Sequence, residues 1–76
     1  MQFMILTYIN DHKLFIQFDQ VVKNGLITVD GDINFNKKMI ISNSEFEIIE
    51  LPENIKLLKI SIKFGNKQMT RTISIV

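Results

Sequence analysis

The chain has 76 residues, a formal net charge of +1 and no cysteine, so disulfide bonds are excluded and one domain spanning residues 1–76 is expected. This weak net charge gives no strong field that would attract nucleic acid or an anionic membrane. Isoleucine occurs fourteen times and alanine is absent. Because isoleucine favours strands and alanine favours helices, the composition predicts an all-β protein.

The longest apolar run covers residues 3–6, which is too short to span a bilayer, and no signal-peptide pattern opens the chain. We therefore expect a cytoplasmic protein without a membrane partner. Isoleucine, lysine and asparagine are abundant, and Arg71 is the only arginine. Such a composition is typical of AT-rich genomes, including those of low-GC bacteria and their phages.

The first half of the chain predicts a hairpin. Residues 3–9 are apolar on both faces, which indicates a central or inter-sheet strand, and residues 14–22 alternate. Asn24-Gly25 then predicts a two-residue turn that pairs Val22 with Ile27. This register places six apolar side chains on one face: Leu14, Ile16, Phe18, Val22, Ile27 and Val29.

The next predicted turn is a three-residue loop, residues 30–32, which pairs Val29 with Ile33 and Ile27 with Phe35. This loop has some likeness to a calcium-binding loop, but no glutamate closes it, so a plain hairpin turn is preferred and no metal site is expected.

Residues 39–42 and 45–51 predict another hairpin around Asn43-Ser44, in which Ile41 pairs with Phe46 on a shared apolar face. A short helix is the alternative for residues 45–51, because Ser44 and Glu47 match a capping box. We favour the strand, since apolar and polar residues alternate there.

The C-terminal part predicts a hairpin around Gly65-Asn66, a pair that suits a type II′ turn. The turn pairs Ile62 with Met69 and Ile60 with Arg71. Together these patterns predict a compact antiparallel β-sandwich or small barrel of six to seven short strands joined by tight hairpins, with little or no helix.

Catalytic residues are scarce. His12 is the only histidine and lies in a predicted turn, where a solvated side chain is expected. Most carboxylates fall in turns or on an exposed strand face, so no pair of them has the contrasting environments that acid–base catalysis requires. The chain also lacks a glycine-rich phosphate loop. We therefore expect neither enzymatic activity nor a cofactor.

Three surface features are candidates for binding a partner. One outer face of the C-terminal hairpin combines lysines with hydroxyl groups, and its main members are Lys59, Lys63, Lys67, Thr70 and Thr72. Arg71 is predicted on the apolar face, where it either extends to solvent at a sheet edge or meets a carboxylate across an interface. Phe15, Val21 and Leu26 are predicted to form an apolar cluster beside the Asn24-Gly25 turn.

These features favour a non-catalytic protein–protein interaction module that forms a homodimer. The size and composition suggest a phage or mobile-element protein that binds and inhibits a host protein in the host cytoplasm. One alternative is a small nucleic-acid-binding barrel that uses the lysine and threonine face. Another is a carbohydrate-binding or structural module of a larger secreted or virion protein.

Overall fold

The computed structural model describes residues 4–75, and this part of the chain forms one curled antiparallel sheet of five strands without a helix. The prediction of an all-β protein is confirmed. The strands are β1 (Ile5–Asn10), β2 (Lys13–Gly31), β3 (Asn36–Glu50), β4 (Leu57–Phe64) and β5 (Lys67–Ser74). Residues 4–75 contain no helix that is long and apolar enough to cross a membrane.

β2 is the central strand of the sheet. β3 runs along one side of it, whereas the other side is shared by β1, which pairs with residues 13–18, and β4, which pairs with residues 26–31. β5 continues the sheet beyond β4. β1 and β4 both pair with the same edge of β2, and the sheet curls around the core as a half-barrel.

The predicted hairpin turn at Asn24-Gly25 is wrong. Both residues lie within β2, where Gly25 pairs with Ile41, and neither has a positive φ. A Cβ atom on Gly25 would lie 3.1 Å from the backbone oxygen of Lys63 and 3.2 Å from Cγ1 of Val22. The glycine is therefore explained by the close approach of β4, and not by a turn.

The six predicted core residues nevertheless share one face, and none of them is more than 4% exposed. Val22 and Ile27 are both buried although they are five positions apart, so the alternation of faces is broken between them. The pairing with β3 is also irregular before this point, since residues 18–21 of β2 face only Glu45 of β3. Such irregularities bend a strand. One long bent strand can therefore bury the same side chains that a hairpin with a turn at Asn24-Gly25 would bury.

The turn between β2 and β3 lies later than predicted. It comprises residues 32–35, so Val29 pairs with Lys37 and Ile27 with Met39. Asp32 holds this turn against the start of β4, because its Oδ1 accepts hydrogen bonds from the backbone nitrogens of Lys56 at 3.0 Å and Leu57 at 3.4 Å.

The predicted turn at Asn43-Ser44 is also wrong, because β3 is continuous through both residues. Asn43 has a φ of 50° and marks a local distortion of the strand. The strand predicted for residues 45–51 is confirmed as far as Glu50, and no helix follows Ser44, although the Ser44 hydroxyl does donate to Glu47 Oε2 at 2.5 Å. Phe46 does not share the buried face of Ile41: it is 43% exposed, whereas Ile41 is fully buried.

The strand count of six to seven is corrected for the same reason. Two predicted hairpins are continuous long strands, so residues 4–75 contain five strands. β1 is an edge strand that pairs only with β2, contrary to the central position predicted from its apolar composition. The C-terminal hairpin is confirmed: Ile62 pairs with Met69, Ile60 pairs with Arg71, and Gly65 has the positive φ (57°) that a type II′ turn requires.

The core fills the concave side of the half-barrel. The described buried residues are all apolar. β4 contributes Leu58, Ile60 and Ile62, and the connection between β3 and β4 contributes Leu51 and Ile55. The convex side of the same sheet faces solvent and carries the features that follow.

Candidate interaction surfaces

An apolar patch lies on the outer face of the sheet where β1, β2 and β3 run side by side. We call it the outer patch, and it consists of Leu6, Tyr8, Phe15, Phe46 and Ile48. The register explains its continuity, because Phe15 of β2 lies between Tyr8 of β1 and Ile48 of β3. Gln17 likewise lies between Leu6 and Phe46.

The three rings of the outer patch form a stacked row across the three strands. The Tyr8 and Phe15 ring centroids are 4.8 Å apart with an interplanar angle of 8°, and those of Phe15 and Phe46 are 6.0 Å apart at 30°. Tyr8 and Phe46 remain 46% and 43% exposed. Because each ring restricts its neighbour, the row presents a pre-ordered apolar surface.

The core does not require apolar residues in the outer patch. Alternation along each strand directs Ile5 of β1, Leu14 of β2 and Ile49 of β3 inward, so the residues next to them in each strand point towards the outer face. Polar side chains would satisfy these outer positions equally well. Contiguous exposed apolar side chains of this kind commonly mark a site of interaction.

The predicted cluster of Phe15, Val21 and Leu26 is rearranged. Phe15 belongs to the outer patch, and Val21 and Leu26 are exposed at 49% and 38%. Since no turn separates them, Phe15 and Leu26 lie towards opposite ends of β2, on the order of 30 Å apart along the strand. Leu26 instead pairs with Ile40 of β3, which is 82% exposed.

Four residues of the outer patch were missed in the sequence: Leu6, Tyr8, Phe46 and Ile48. Leu6 and Tyr8 carry a local signal, because they alternate with Ile5 and Ile9 and therefore lie on the opposite face of the strand. Phe46 and Ile48 carry no such signal, since their position depends on β3 pairing with β2 and not with itself.

The basic hydroxyl face on the outer side of β4 and β5 is largely as predicted. Lys59 pairs with Thr72, Ser61 pairs with Thr70, and Lys63 lies in the same row of alternate residues. Thr28 and Lys38 extend this face onto β2 and β3, because Thr28 pairs with both Ser61 and Lys38. We call this whole surface the basic hydroxyl face.

Lys67 does not belong to the basic hydroxyl face. It pairs with Phe64, which lies in the row of residues that faces the core side of the hairpin. The Lys67 Nζ atom lies 5.7 Å from the centroid of the Phe64 ring, a distance compatible with a cation–π contact.

Arg71 joins the two ends of the curled sheet. It lies on the inner row of β5, is partly buried, and its Nη1 donates to the backbone oxygen of Ile5 and to Oγ1 of Thr7, each at 3.3 Å. Both acceptors belong to β1. Arg71 therefore has an intramolecular role across the gap between β5 and β1, where the two strands share no backbone ladder.

A cleft of about 450 Å³ opens at one end of the half-barrel. Its lining combines the β1–β2 turn, including the exposed His12, with the segment that follows β3, including Glu53 and Asn54. His12 has a φ of 60°, and its backbone oxygen accepts a hydrogen bond from the Leu51 nitrogen at 2.9 Å. In residues 4–75 we find no group of three His, Cys, Asp or Glu side chains arranged to hold a metal ion.

Comparison with known proteins gives no relative: no family model, curated protein or solved structure matches the chain. The function proposed for it therefore depends on the surfaces described above.

Proposed function

We propose that this chain is a non-catalytic protein–protein interaction domain that binds its partner through the outer patch. The observation that carries the proposal is the aromatic row of Tyr8, Phe15 and Phe46, in which Phe15 is half-buried between two exposed rings. Two exposed aliphatic side chains extend the row. Aromatic side chains are enriched at the centres of protein interfaces.

The energetics of the outer patch favour binding to an apolar surface. Covering a half-exposed leucine or aromatic side chain contributes roughly 1–2 kcal/mol at ~25 cal/mol per Å². Binding also costs less entropy when the contacting side chains are already ordered. The stacked rings of the outer patch meet that condition, because each ring is held by at least one neighbour.

The proposed partner is a host protein that the chain inhibits, with the chain encoded by a phage or mobile element. The support is compositional: isoleucine, lysine and asparagine are abundant, and Arg71 is the only arginine. Finding the gene within an ordinary chromosomal metabolic operon would count against this origin.

The test compares what the immobilised chain and two variants retain from an extract of a low-GC bacterium. The patch variant is Leu6→Ser with Tyr8→Ser, and the control variant is Ile33→Ser with Leu57→Ser, which removes similarly exposed apolar side chains elsewhere. We expect the wild-type chain and the control to retain a common protein that the patch variant loses. Equal retention by all three proteins would contradict a role for the outer patch.

A second candidate function is binding of nucleic acid by the basic hydroxyl face. The observation in its favour is that Lys59, Lys63 and the hydroxyls of Thr70 and Thr72 do project together. Phosphate binding weakens steeply as the salt concentration rises. Labelled single-stranded and double-stranded DNA and RNA should therefore bind at low salt and dissociate on salt titration, and no binding at low salt would exclude this candidate.

No specific observation favours the carbohydrate-binding or structural alternative.

For the fold, we propose that the half-barrel behaves in solution as a small closed barrel. The support is the Arg71 side chain, which joins β5 to β1 by hydrogen bonds to Ile5 and Thr7 in place of a backbone ladder. Slow amide exchange in β1, lost when Arg71 is replaced, would support closure.

A further inference from the structure

We propose that the outer edge of β3 is a self-association surface, on which β3 of a second copy of this chain pairs in antiparallel orientation about a two-fold axis. This inference concerns the backbone edge of β3, whereas the outer patch lies on the outer face of the sheet, to which β3 contributes Phe46 and Ile48. It holds or fails independently of the function proposed above, because the two tests change different residues. Three features of β3 carry it: an unpaired backbone edge, a polarised charge pattern and an exposed apolar centre.

The outer edge of β3 is the longest free edge in the described part of the chain. β3 has 15 residues and pairs only with β2. The Ser44 hydroxyl is hydrogen-bonded to the backbone oxygen and nitrogen of Phe46, so the open stretch of this edge ends before Phe46. β1 is a shorter edge of 6 residues, and Arg71 already uses its Ile5 carbonyl. Strand edges with free N–H and C=O groups readily pair with another strand.

The charges along β3 are segregated. Lys37 and Lys38 lie at its beginning, and Glu45, Glu47 and Glu50 lie in its last part. The only ion pair among residues 4–75 joins Lys13 to Asp11, so none of these five charged residues forms an ion pair within the described part of the chain. In an antiparallel pair of β3 strands, the basic end of each copy lies beside the acidic end of the other. Parallel pairing would instead place like charges together, which is unfavourable.

The centre of β3 is uncharged and partly apolar from residue 39 to residue 44. Ile40 is 82% exposed, the highest value among the exposed large apolar side chains of the described chain. If the axis passes through Ile41, Lys37 lies opposite Glu45 of the second copy. Ile40 then becomes a diagonal neighbour of its own equivalent, a distance that long apolar side chains can span. The pairing therefore covers the most exposed apolar residue and places one lysine opposite one glutamate at each end.

A charge exchange between two variants tests the proposal. The acidic variant is Lys37→Glu with Lys38→Glu, and the basic variant is Glu45→Lys with Glu47→Lys. When either variant pairs with another copy of itself, like charges face each other at both ends of the paired strands. When the acidic variant pairs with the basic variant, opposite charges face each other at both ends. We expect light scattering to give about twice the 8.9 kDa monomer mass for the wild-type chain. Each variant alone should be monomeric, and the equimolar mixture should recover the dimer mass.

The matched control is Lys59→Glu with Lys63→Glu, which makes the same charge change on β4, separated from β3 by β2. We expect this control to remain dimeric, and circular dichroism should show that all three variants keep the β-sheet spectrum. A monomeric wild-type chain at high micromolar concentration would overturn the proposal. The proposal would also be overturned if the acidic and basic variants were each dimeric alone, or if their mixture stayed monomeric although both variants are folded. Each of these results leaves the outer-patch test unaffected, because Leu6 and Tyr8 lie on β1.

Discussion

Gly25 has little space for a side chain where β2 approaches β4. An added Cβ would lie 3.1 Å from the Lys63 backbone oxygen and 3.2 Å from the Cβ of Phe64, and neither neighbour is the flexible end of a side chain. We expect Gly25→Ala to lower the free energy of unfolding by about 1–3 kcal/mol, because the backbone of β2 or β4 must shift. Urea denaturation followed by circular dichroism measures this change.

Asn24 provides the control for the Gly25 substitution. Asn24 is exposed within β2 and has no positive φ, so its side chain has no turn conformation to stabilise. We expect Asn24→Ala to change the free energy of unfolding by less than about 0.5 kcal/mol. A loss for Asn24→Ala as large as that for Gly25→Ala would favour a hairpin turn at this position and contradict the continuous strand.

Asp32 connects the β2–β3 turn to the start of β4. Its Oδ1 accepts from two backbone nitrogens, those of Lys56 and Leu57. We expect Asp32→Ala to reduce the free energy of unfolding by about 1–3 kcal/mol, because a charged acceptor of backbone N–H groups is lost. Asp32→Asn retains one acceptor oxygen, so its unfolding free energy should lie between those of the wild-type chain and Asp32→Ala. If the two variants are equally stable, hydrogen bonding is not the role of this residue.

At the scale of strands, Arg71 is the link between β5 and β1. Arg71→Met keeps an apolar stem but removes the hydrogen bonds to Ile5 and Thr7. We expect a loss of about 1–2 kcal/mol in the free energy of unfolding, together with faster hydrogen exchange of the β1 amides.

A double-mutant cycle with Thr7→Val separates this link from general damage to the core. Residues that share a hydrogen bond should show a coupling energy of at least ~0.5 kcal/mol. Additive effects of the two substitutions, with unchanged amide exchange in β1, would show that Arg71 does not hold the two strands together.

Local alternation allowed the C-terminal hairpin to be predicted completely, including the pairing of Ile60 with Arg71. The buried face of β2 was also predicted, because Val22 and Ile27 are inward-facing both in a hairpin and in a bent strand. The pairing of β2 with β3 could not be predicted in this way. It depends on β2 continuing through Asn24-Gly25 and on β3 continuing through Asn43-Ser44, and both pairs of residues are common in turns.

The difference between pairing within one hairpin and pairing between distant strands also explains which surfaces could be predicted. The basic hydroxyl face lies within one hairpin, so its side chains were placed correctly, with the exception of Lys67. The outer patch combines side chains from three strands, and Phe46 joins it only because β3 pairs with the first half of β2. The hairpin predicted around Asn43-Ser44 places Phe46 on the apolar face with Ile41, so the outer patch could not be predicted from the sequence.

At the scale of the whole molecule, self-association through β3 predicts a thermal stability that depends on protein concentration. A dimer that dissociates on unfolding is stabilised by mass action. We expect the midpoint of thermal unfolding to rise when the concentration of the wild-type chain increases about a hundredfold. The midpoint of the acidic variant, Lys37→Glu with Lys38→Glu, should stay constant. A concentration-independent midpoint for both proteins would contradict the dimer.

The central claim is that β2 is one bent strand between β1, β3 and β4, since this arrangement assembles the outer patch. Proton NOE measurements in solution test it most directly. We predict cross-strand NOEs between Gly25 and Ile41, and between the rings of Phe15 and Phe46. Cross-strand NOEs between Val22 and Ile27, without those between Gly25 and Ile41, would contradict the bent strand and remove the basis of the proposed binding surface.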